Sequence, residues 1–579
     1  MTSILFVLLA CTDPSPYGDP PVITNEVDDW RDEVIYQVLV DRFANGDVNN
    51  DLNVTYDSTN LARYMGGDYQ GILDRIDYLK DLGVTTLWIS PVVVNVEEDA
   101  GSASYHGYWA QDFLNVNPHF GDMAKLRELS DTLHAHDMKL VVDIVVNHIG
   151  QLFYYDINRN GQPDITTFYE TNGGTEETIV TEWDPAWDAR GIQGYTSLGE
   201  SGPAPLGWVH MPEINRVPPN PPELWNDDWY NRNGRVTNWD DDEQVLLADF
   251  PGGLKDLRTE LPGVQDTMVD IYAYWLENAN LDGFRIDTLK HVEHDFWQAF
   301  AGGIRDRAAL LGKEKFFLFG ESFDGDDALN GSFTMDQEVD SVVYFSQKFQ
   351  VYDDVFKRGG PTRNIERLLA ARDENYGTSA HARGAGLPPR DLLVNFIDNH
   401  DIPRFLYDKD SLPALQSALT YLLTQDGVPC LYYGTEQGFA GGNDPANREP
   451  LWLSNYDTSG VLYRHISRLN ALRREYVALR RGDLTLRWTT DRTGAEEDAG
   501  IVAFERSYDA ERVLVVINTN DDHASHTSYA GSDMPVGFPR GTRLREVFPG
   551  TEQTWTVASD GTVRIEAAAR EGLILIAEP

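Results

Sequence analysis

The chain has 579 residues, 41% of them apolar, too many for one hydrophobic core and ample for two or three globular domains. Its 93 Asp and Glu residues outnumber 47 Lys and Arg, a formal charge of -46 that repels nucleic acid and anionic lipid surfaces. Neutral ligands and metal cations remain as partners.

The first residues, SILFVLLA before Cys11, form an apolar run too short to span a bilayer as a mature helix. The run reads as a secretory signal, although Met1-Thr2-Ser3 lacks the usual positive charge. Leu8-Leu9-Ala10-Cys11 resembles a bacterial lipoprotein cleavage box, so the expectation is a lipid-anchored cell-surface or secreted protein that meets membrane only through Cys11. The Pro-rich stretch up to residue 29 reads as its tether. Cys430, inside the apolar run GVPCLYYG, reads as a small buried hydrophobe.

From about residue 33, short apolar runs alternate with helical patterns, the signature of a parallel sheet. Eight strands are predicted: 34–40, 85–92, 139–146, 283–287, 316–321, 341–345, 392–398 and 429–434. Between them, Ile72, Ile76 and Leu79 share one helical face, as do Val264, Met268, Ile271 and Trp275. The fold class is therefore α/β, a (β/α)8 barrel with its site at the C-terminal strand ends. The barrel is expected over 30–148 and 253–484, and the Gly-, Pro- and Trp-rich 149–252 as an inserted subdomain. GIVAFERS, RVLVVINT and GLILIAEP predict a closing antiparallel β-sandwich over 485–579.

Three acids stand at strand ends: Asp287 after the fourth, Glu321 after the fifth and Asp401 after the seventh. A barrel brings such residues together, and paired carboxylates are what glycosidic cleavage requires. Arg285 and Asp287, two apart, share one side of their strand.

VVDIVVNH, GFRIDTLKHV, FGES and FIDNHD, in that order, resemble the four signature regions of the α-amylase family of glycoside hydrolases. The resemblance runs from about residue 30 to 579 and implies a retaining enzyme acting on α-1,4 bonds of starch or maltooligosaccharides. It makes Asp287 the nucleophile, Glu321 the acid and base, and Asp401 the group that favours the distorted sugar. Arg285 would keep Asp287 ionised, while Glu321 must stay protonated. His106, Tyr108, His148, Lys290, His291, His400, Asp444 and Arg448 match the family's sugar contacts. Trp208, Trp225 and Trp229 either stack on glucose units or pack the insertion.

One to three calcium ions are implied. Asn147, Asp249 and the His291 carbonyl match a calcium site joining insertion to barrel. Asn45, Asp47, Asn50 and Asp51 with Gly66 and Asp68 are similar to the N-terminal calcium loop of cyclodextrin glucanotransferases. Asp156, Asn158, Asn160 and Asp164 open like a third calcium loop, though Thr167 stands where an EF-hand has Glu. Two alternatives within the family are a cyclodextrin-forming transglycosylase, which usually carries further starch-binding domains, and a cyclomaltodextrinase, whose N-terminal β domain is missing. A non-catalytic glycan-binding lipoprotein is the alternative of another class, and retention of all three acids speaks against it. A monomer is expected.

Overall fold

The computed structural model describes residues 27–578 apart from 53, 55, 58, 100, 156–163, 170–174, 181–204, 211, 213, 214 and 251, with side chains left aside for 154, 155, 164–169 and 175–180. Cys11 and the loop residues Asp156, Asn158 and Asn160 lie outside the described residues. Asp164 opens a short strand, Asp164–Tyr169, of which only the backbone course is described.

Eight parallel strands form one sheet: β1 (Ile35–Val38), β2 (Thr86–Ile89), β3 (Lys139–Ile144), β4 (Gly283–Ile286), β5 (Phe317–Gly320), β6 (Ser341–Val342), β7 (Val394–Phe396) and β8 (Val428–Tyr432). Their spatial order follows the chain, with β8 beside β1. A parallel bridge from Val343 to Val394, with the Tyr344 N–H donating to the Val394 carbonyl at 2.9 Å, joins β6 to β7 and closes the barrel. Every strand is buried on both faces, so the runs are continuously apolar rather than alternating.

The two faces fill two different cores. Ile35, Trp88, Val141, Phe317, Phe319, Val394 and Cys430 point inward and pack the barrel's interior. Tyr36, Leu87, Val142, Phe284, Ile286 and Leu318 point outward beneath the helices. Side chains alternate along a strand, so Arg285 and Asp287 follow Gly283 on the inner face, Asp143 follows Val141, and Glu321 follows Phe319. β3, β4 and β5 therefore each deliver a carboxylate to the barrel mouth after their inward-facing residues.

Helix α1 (Met123–Ala135) is capped by the Asp122 carboxylate, and α2 (Pro262–Ala279) starts on a proline at its first position. On α2, Val264, Met268, Ile271 and Trp275 are all buried as their spacing predicts. The predicted helix around residues 71–83 is divided, Tyr69–Leu73 and Ile76–Leu82, and the break places Arg75 over the Tyr456 ring, 4.2 Å from its centroid.

The C-terminal region carries a six-stranded antiparallel sheet that includes β9 (Asp483–Trp488), β10 (Ile501–Tyr508), β11 (Glu511–Asn518) and, last in the chain, Gly572–Ala577. Smaller antiparallel ladders cover one face around Met534, Val563 and Ile565. Among the described residues no helix is long and apolar enough to cross a membrane.

Candidate active site

Arg285 is the centre of the site. Across the sheet its partners in register are Asp143 on β3 and Phe319 on β5. Fully buried, its guanidinium meets three carboxylates. Nη1 lies 2.8 Å from Asp143 Oδ1 and 2.9 Å from Asp287 Oδ1, and Nη2 lies 2.5 Å from Glu321 Oε2. The Nη2 contact is close but lacks hydrogen-bond alignment, since Nη2 has no hydrogen-bond partner. One guanidinium thus holds Asp287 and Glu321 side by side at the floor of a cavity of about 410 Å³.

One positive charge does not offset three negative ones out of water. Burial raises Asp287 to about 7, with Arg285 opposing and the Asp143 and Asp401 charges adding to the rise. Glu321 goes further, to about 8, for the same reason. Asp143 rises to about 6 through burial, which Arg285, Tyr108 and Trp88 oppose. Arg285 favours the Asp287 carboxylate by charge and hydrogen bond, and desolvation outweighs that ion pair. The order is what two-carboxylate chemistry needs, with the higher value on Glu321.

The walls are polar and neutral. Tyr108 hydroxyl donates to Asp143 Oδ2 at 2.9 Å and sits 2.7 Å from His400 Nε2. Its ring stacks between those of His106 and His400, at 5.6 and 5.3 Å. Gln37 Nε2 donates to His400 Nδ1, and the Tyr108 N–H donates to His106 Nδ1, which leaves an Nε2–H on each ring. Burial holds His106 and His400 well below the ordinary histidine range and His148 down to about 4, so all three are neutral donors. His291, also lowered to about 4 by burial, lines the same cavity while its Nδ1 faces the Val245 carbonyl.

Opposite, Asp401 is a third exposed and contacts Arg448 Nη2 at 3.3 Å and His400 Nε2 at 3.2 Å. Arg448 Nη1 also lies 2.8 Å from Asp444, and both residues line the cavity. Thr288, directly after Asp287, has a left-handed backbone with φ 54, and its buried hydroxyl has no hydrogen-bond partner. It lets the chain turn sharply once Asp287 is placed.

Lys290 goes elsewhere. Its ammonium binds the Phe323 carbonyl at 2.7 Å and Asp324 at 3.0 Å, tying down the loop after β5 instead of lining the cavity. Of the tryptophans, Trp208 packs edge-on to Phe153 and Tyr230, with its Nε1–H donating to Asp227, and none of the three lines the cavity. Trp109, Phe250, Leu254 and Phe323 line it without having been singled out in the sequence, and Asp143 and Gln37 support it from below. Asp143 was legible in principle, lying within VVDIVVNH on the inward parity of β3.

The two described calcium candidates differ. In the N-terminal loop, Asn45 Nδ2 donates to both Asp51 oxygens, and Asn50 Oδ1 is buried without a hydrogen-bond partner. A Cβ on Gly66 would come within 2.6 Å of Asp51 Oδ1 and 2.7 Å of Asn45 Nδ2, so only glycine leaves this cradle open. Oxygens of this kind suit a hard cation. Asp68 is less available, because its carboxylate accepts N–H groups from Gly46, Asp47 and Gly71. The Asn147, Asp249 and His291 set is partly engaged. Asp249 is already paired with Lys255 at 3.0 Å, and the Asn147 carbonyl accepts the Leu257 N–H. Among the described residues no group of three His, Cys, Asp or Glu side chains is arranged to hold a metal.

The sequence profile of the α-amylase catalytic domain matches residues 37–456. A β/α-amylase of Paenibacillus polymyxa is 31% identical over 86% of this chain, and an α-amylase of Streptomyces lividans is 31% identical over 90% of it. The chain spans 34% and 58% of those two relatives. Among solved structures, CldA, a cyclomaltodextrin glucanotransferase with a three-domain ABC distribution, superposes with a TM-score of 0.70 at 26% identity, covering 94% of this chain and 99% of its own.

Proposed function

The chain belongs to the α-amylase family of glycoside hydrolases, and from that premise we propose that it is a retaining hydrolase cleaving internal α-1,4-glucosidic bonds of starch and maltooligosaccharides. The observation that carries the reading is the single buried guanidinium shared by Asp287 and Glu321 beneath an open polar cavity. Asp287 attacks the anomeric carbon as Glu321 gives its proton to the leaving oxygen. Glu321, now a carboxylate, then takes a proton from the water that releases the sugar. His106, His400 and Arg448 supply donors for sugar hydroxyls, Tyr108 a ring for the sugar face, and Asp401 a carboxylate beside the developing positive charge.

Calcium bound by Asn45, Asn50 and Asp51 would act structurally, fixing the loop that follows β1. Cys11 carries the lipid that holds the enzyme outside the cytoplasm, which replacement by Ser tests through loss of the protein from the membrane fraction. The domain limits near 148, 253 and 484 belong to the same reading.

A second reading, cyclodextrin-forming transglycosylation, is supported by the likeness to a three-domain glucanotransferase. A single C-terminal β region therefore does not separate hydrolase from transferase. A timed product profile on soluble starch, pullulan and cyclodextrins decides. Linear maltooligosaccharides from the earliest times are expected, and cyclic dextrins as the main product would overturn the hydrolase reading.

A further inference from the structure

A second cavity, of about 280 Å³, opens between the loop that follows β1 and the segment that follows β8, on the strand-end face that carries the active site. Asp74, Arg75, Trp452 and Tyr456 are among the residues that line it. Trp452 comes four residues after Arg448, which lines the catalytic cavity. One short stretch of chain thus serves both cavities.

Its aromatic side chains are held in two different ways. Asn455 and Tyr456 both have left-handed backbone, with φ 53 and 52, a costly pair of conformations where neither residue is glycine. Tyr456 is fixed from below: its hydroxyl donates to the Phe43 carbonyl at 2.7 Å, its ring meets that of Tyr78 edge-on at 5.5 Å, and Arg75 covers it at 4.2 Å. Trp452, on the other side of the turn, stays half-buried at the cavity's edge. The Tyr56 ring stands 6.3 Å from it at an angle of 47°, and Tyr56 is 49% exposed. Leu453 beside them is 52% exposed. Large apolar groups gathered in water at the mouth of a cavity mark a surface that a ligand covers.

The ligand class follows from the chemistry of the lining. Aromatic faces suit the apolar face of a pyranose ring, while the exposed Asp74 and Arg75 offer an acceptor and donors to its hydroxyls. A chain of formal charge -46 disfavours a polyanion, and the Asp74 carboxylate beside the Arg75 guanidinium leaves no excess charge to draw a cation. We propose that this cavity is a second glucan-binding site, in which Trp452 and Tyr56 stack on sugar rings of a chain whose scissile part lies elsewhere. The identity of the polymer rests on the glucan reading of the catalytic cavity. Asp74 is the one carboxylate in the lining, where cleavage requires two, so the second cavity holds the chain without cutting it. A chain held there raises the local concentration of glucan at the catalytic cavity.

Retardation in native gels containing amylopectin tests this, with Asp287→Asn in every protein so that no chain is cut. Adding Trp452→Ala is expected to weaken retardation about tenfold, as loss of an aromatic anchor does. Tyr56→Ala, on the half-exposed partner ring, should weaken it as well. No retardation of Asp287→Asn alone, or retardation unchanged in both ring variants, would overturn the proposal. With Asp287 restored, Trp452→Ala should keep kcat/KM on maltotriose and show a raised KM on gelatinised starch. An equal loss on both substrates would assign Trp452 to the catalytic cavity and sink the second site. A Trp452→Ala chain that fails to fold leaves Tyr56→Ala and crystals of Asp287→Asn soaked in maltopentaose, in which a sugar ring beside Trp452 is expected and sugar confined to the catalytic cavity would refute it. Starch bound through Trp452 yet left uncut by the unmodified protein would remove the hydrolase reading and keep this one.

Discussion

Two of the buried cations in this molecule do opposite things. At the barrel mouth Arg285 faces three carboxylates, Asp143, Asp287 and Glu321. In the short strand Lys255–Asp256, the Lys255 ammonium lies 3.0 Å from Asp249, which also accepts the Asp256 N–H. Both cations are wholly withdrawn from water. The way the charge is met separates them: Asp249 is held by an ammonium and a backbone N–H, whereas at the mouth three carboxylates share one guanidinium and the excess negative charge is relieved by binding protons. The difference teaches that burial alone does not make a site reactive. An uncompensated remainder does.

The largest effect should come from removing reactive charge. Asp287→Asn keeps shape and hydrogen bonding but cannot attack, and kcat on maltooligosaccharides is expected to fall about 10⁴-fold or more, as losses of catalytic groups do. Unchanged turnover would dissolve the contrast between the two clusters.

Next come the cations themselves. Lys255→Met strands Asp249 in a dry site and is expected to cost about 3–5 kcal/mol, read from denaturant unfolding. The double variant Lys255→Met with Asp249→Leu should recover most of that loss, because a buried pair replaced by apolar groups is often neutral. Arg285→Met offers no such rescue: pairing it with Asp287→Leu restores stability at best and never activity.

A smaller effect distinguishes the clusters by pH. A carboxyl whose folded value is raised binds its proton more tightly in the folded state, so its contribution is present at low pH and lost as pH rises through the folded value. Glu321 at about 8 and Asp287 at about 7 should therefore make unfolding free energy decline between roughly pH 5 and 8. The variant Glu321→Gln should decline less over that range. In turnover, kcat/KM should be bell-shaped, with the acid limb from ionising the pair's first proton and the alkaline limb from losing the second. A profile flat across that window would remove the charge-excess account.

The smallest expected change concerns the N-terminal loop. Chelation should lower Tm by a few degrees, since an ion at a hundred times its Kd adds about 2.7 kcal/mol to a native state that alone binds it. In Asp51→Ala the chelation shift should shrink or vanish. An Asp51→Ala chain as chelator-sensitive as the parent would move the metal away from this cradle.

Much of the site was legible because strand alternation is strict. Knowing that Gly283, Phe317 and Val141 start the inner face of their strands is enough to aim Arg285, Asp287, Glu321 and Asp143 inward. What the pattern lacks is register. That Arg285 stands opposite Asp143 depends on how β3 and β4 pair, which no single strand encodes, so the pattern shows an ion pair where the fold makes a three-carboxylate cluster. Lys255 is hidden from the pattern for a related reason: its strand, Lys255–Asp256, is too short to show a period. Lys290 shows the reverse: its motif pointed to substrate, yet the loop carbonyl of Phe323 lies within reach and takes the ammonium.

Thr288 shows where some of the folding free energy has gone. A β-branched residue rarely tolerates a φ of 54, and such backbone costs about 1–3 kcal/mol unless its surroundings enforce it. Here the enforcement comes from β4 on one side and the Leu289 N–H on the other, which donates to the Glu321 carbonyl at 2.8 Å. The turn is a compressed spring between the strand that carries one reacting acid and the backbone of the other. Fold and chemistry are therefore in tension at a single residue: the barrel spends rigidity there so that two acids from different strands keep a fixed spacing.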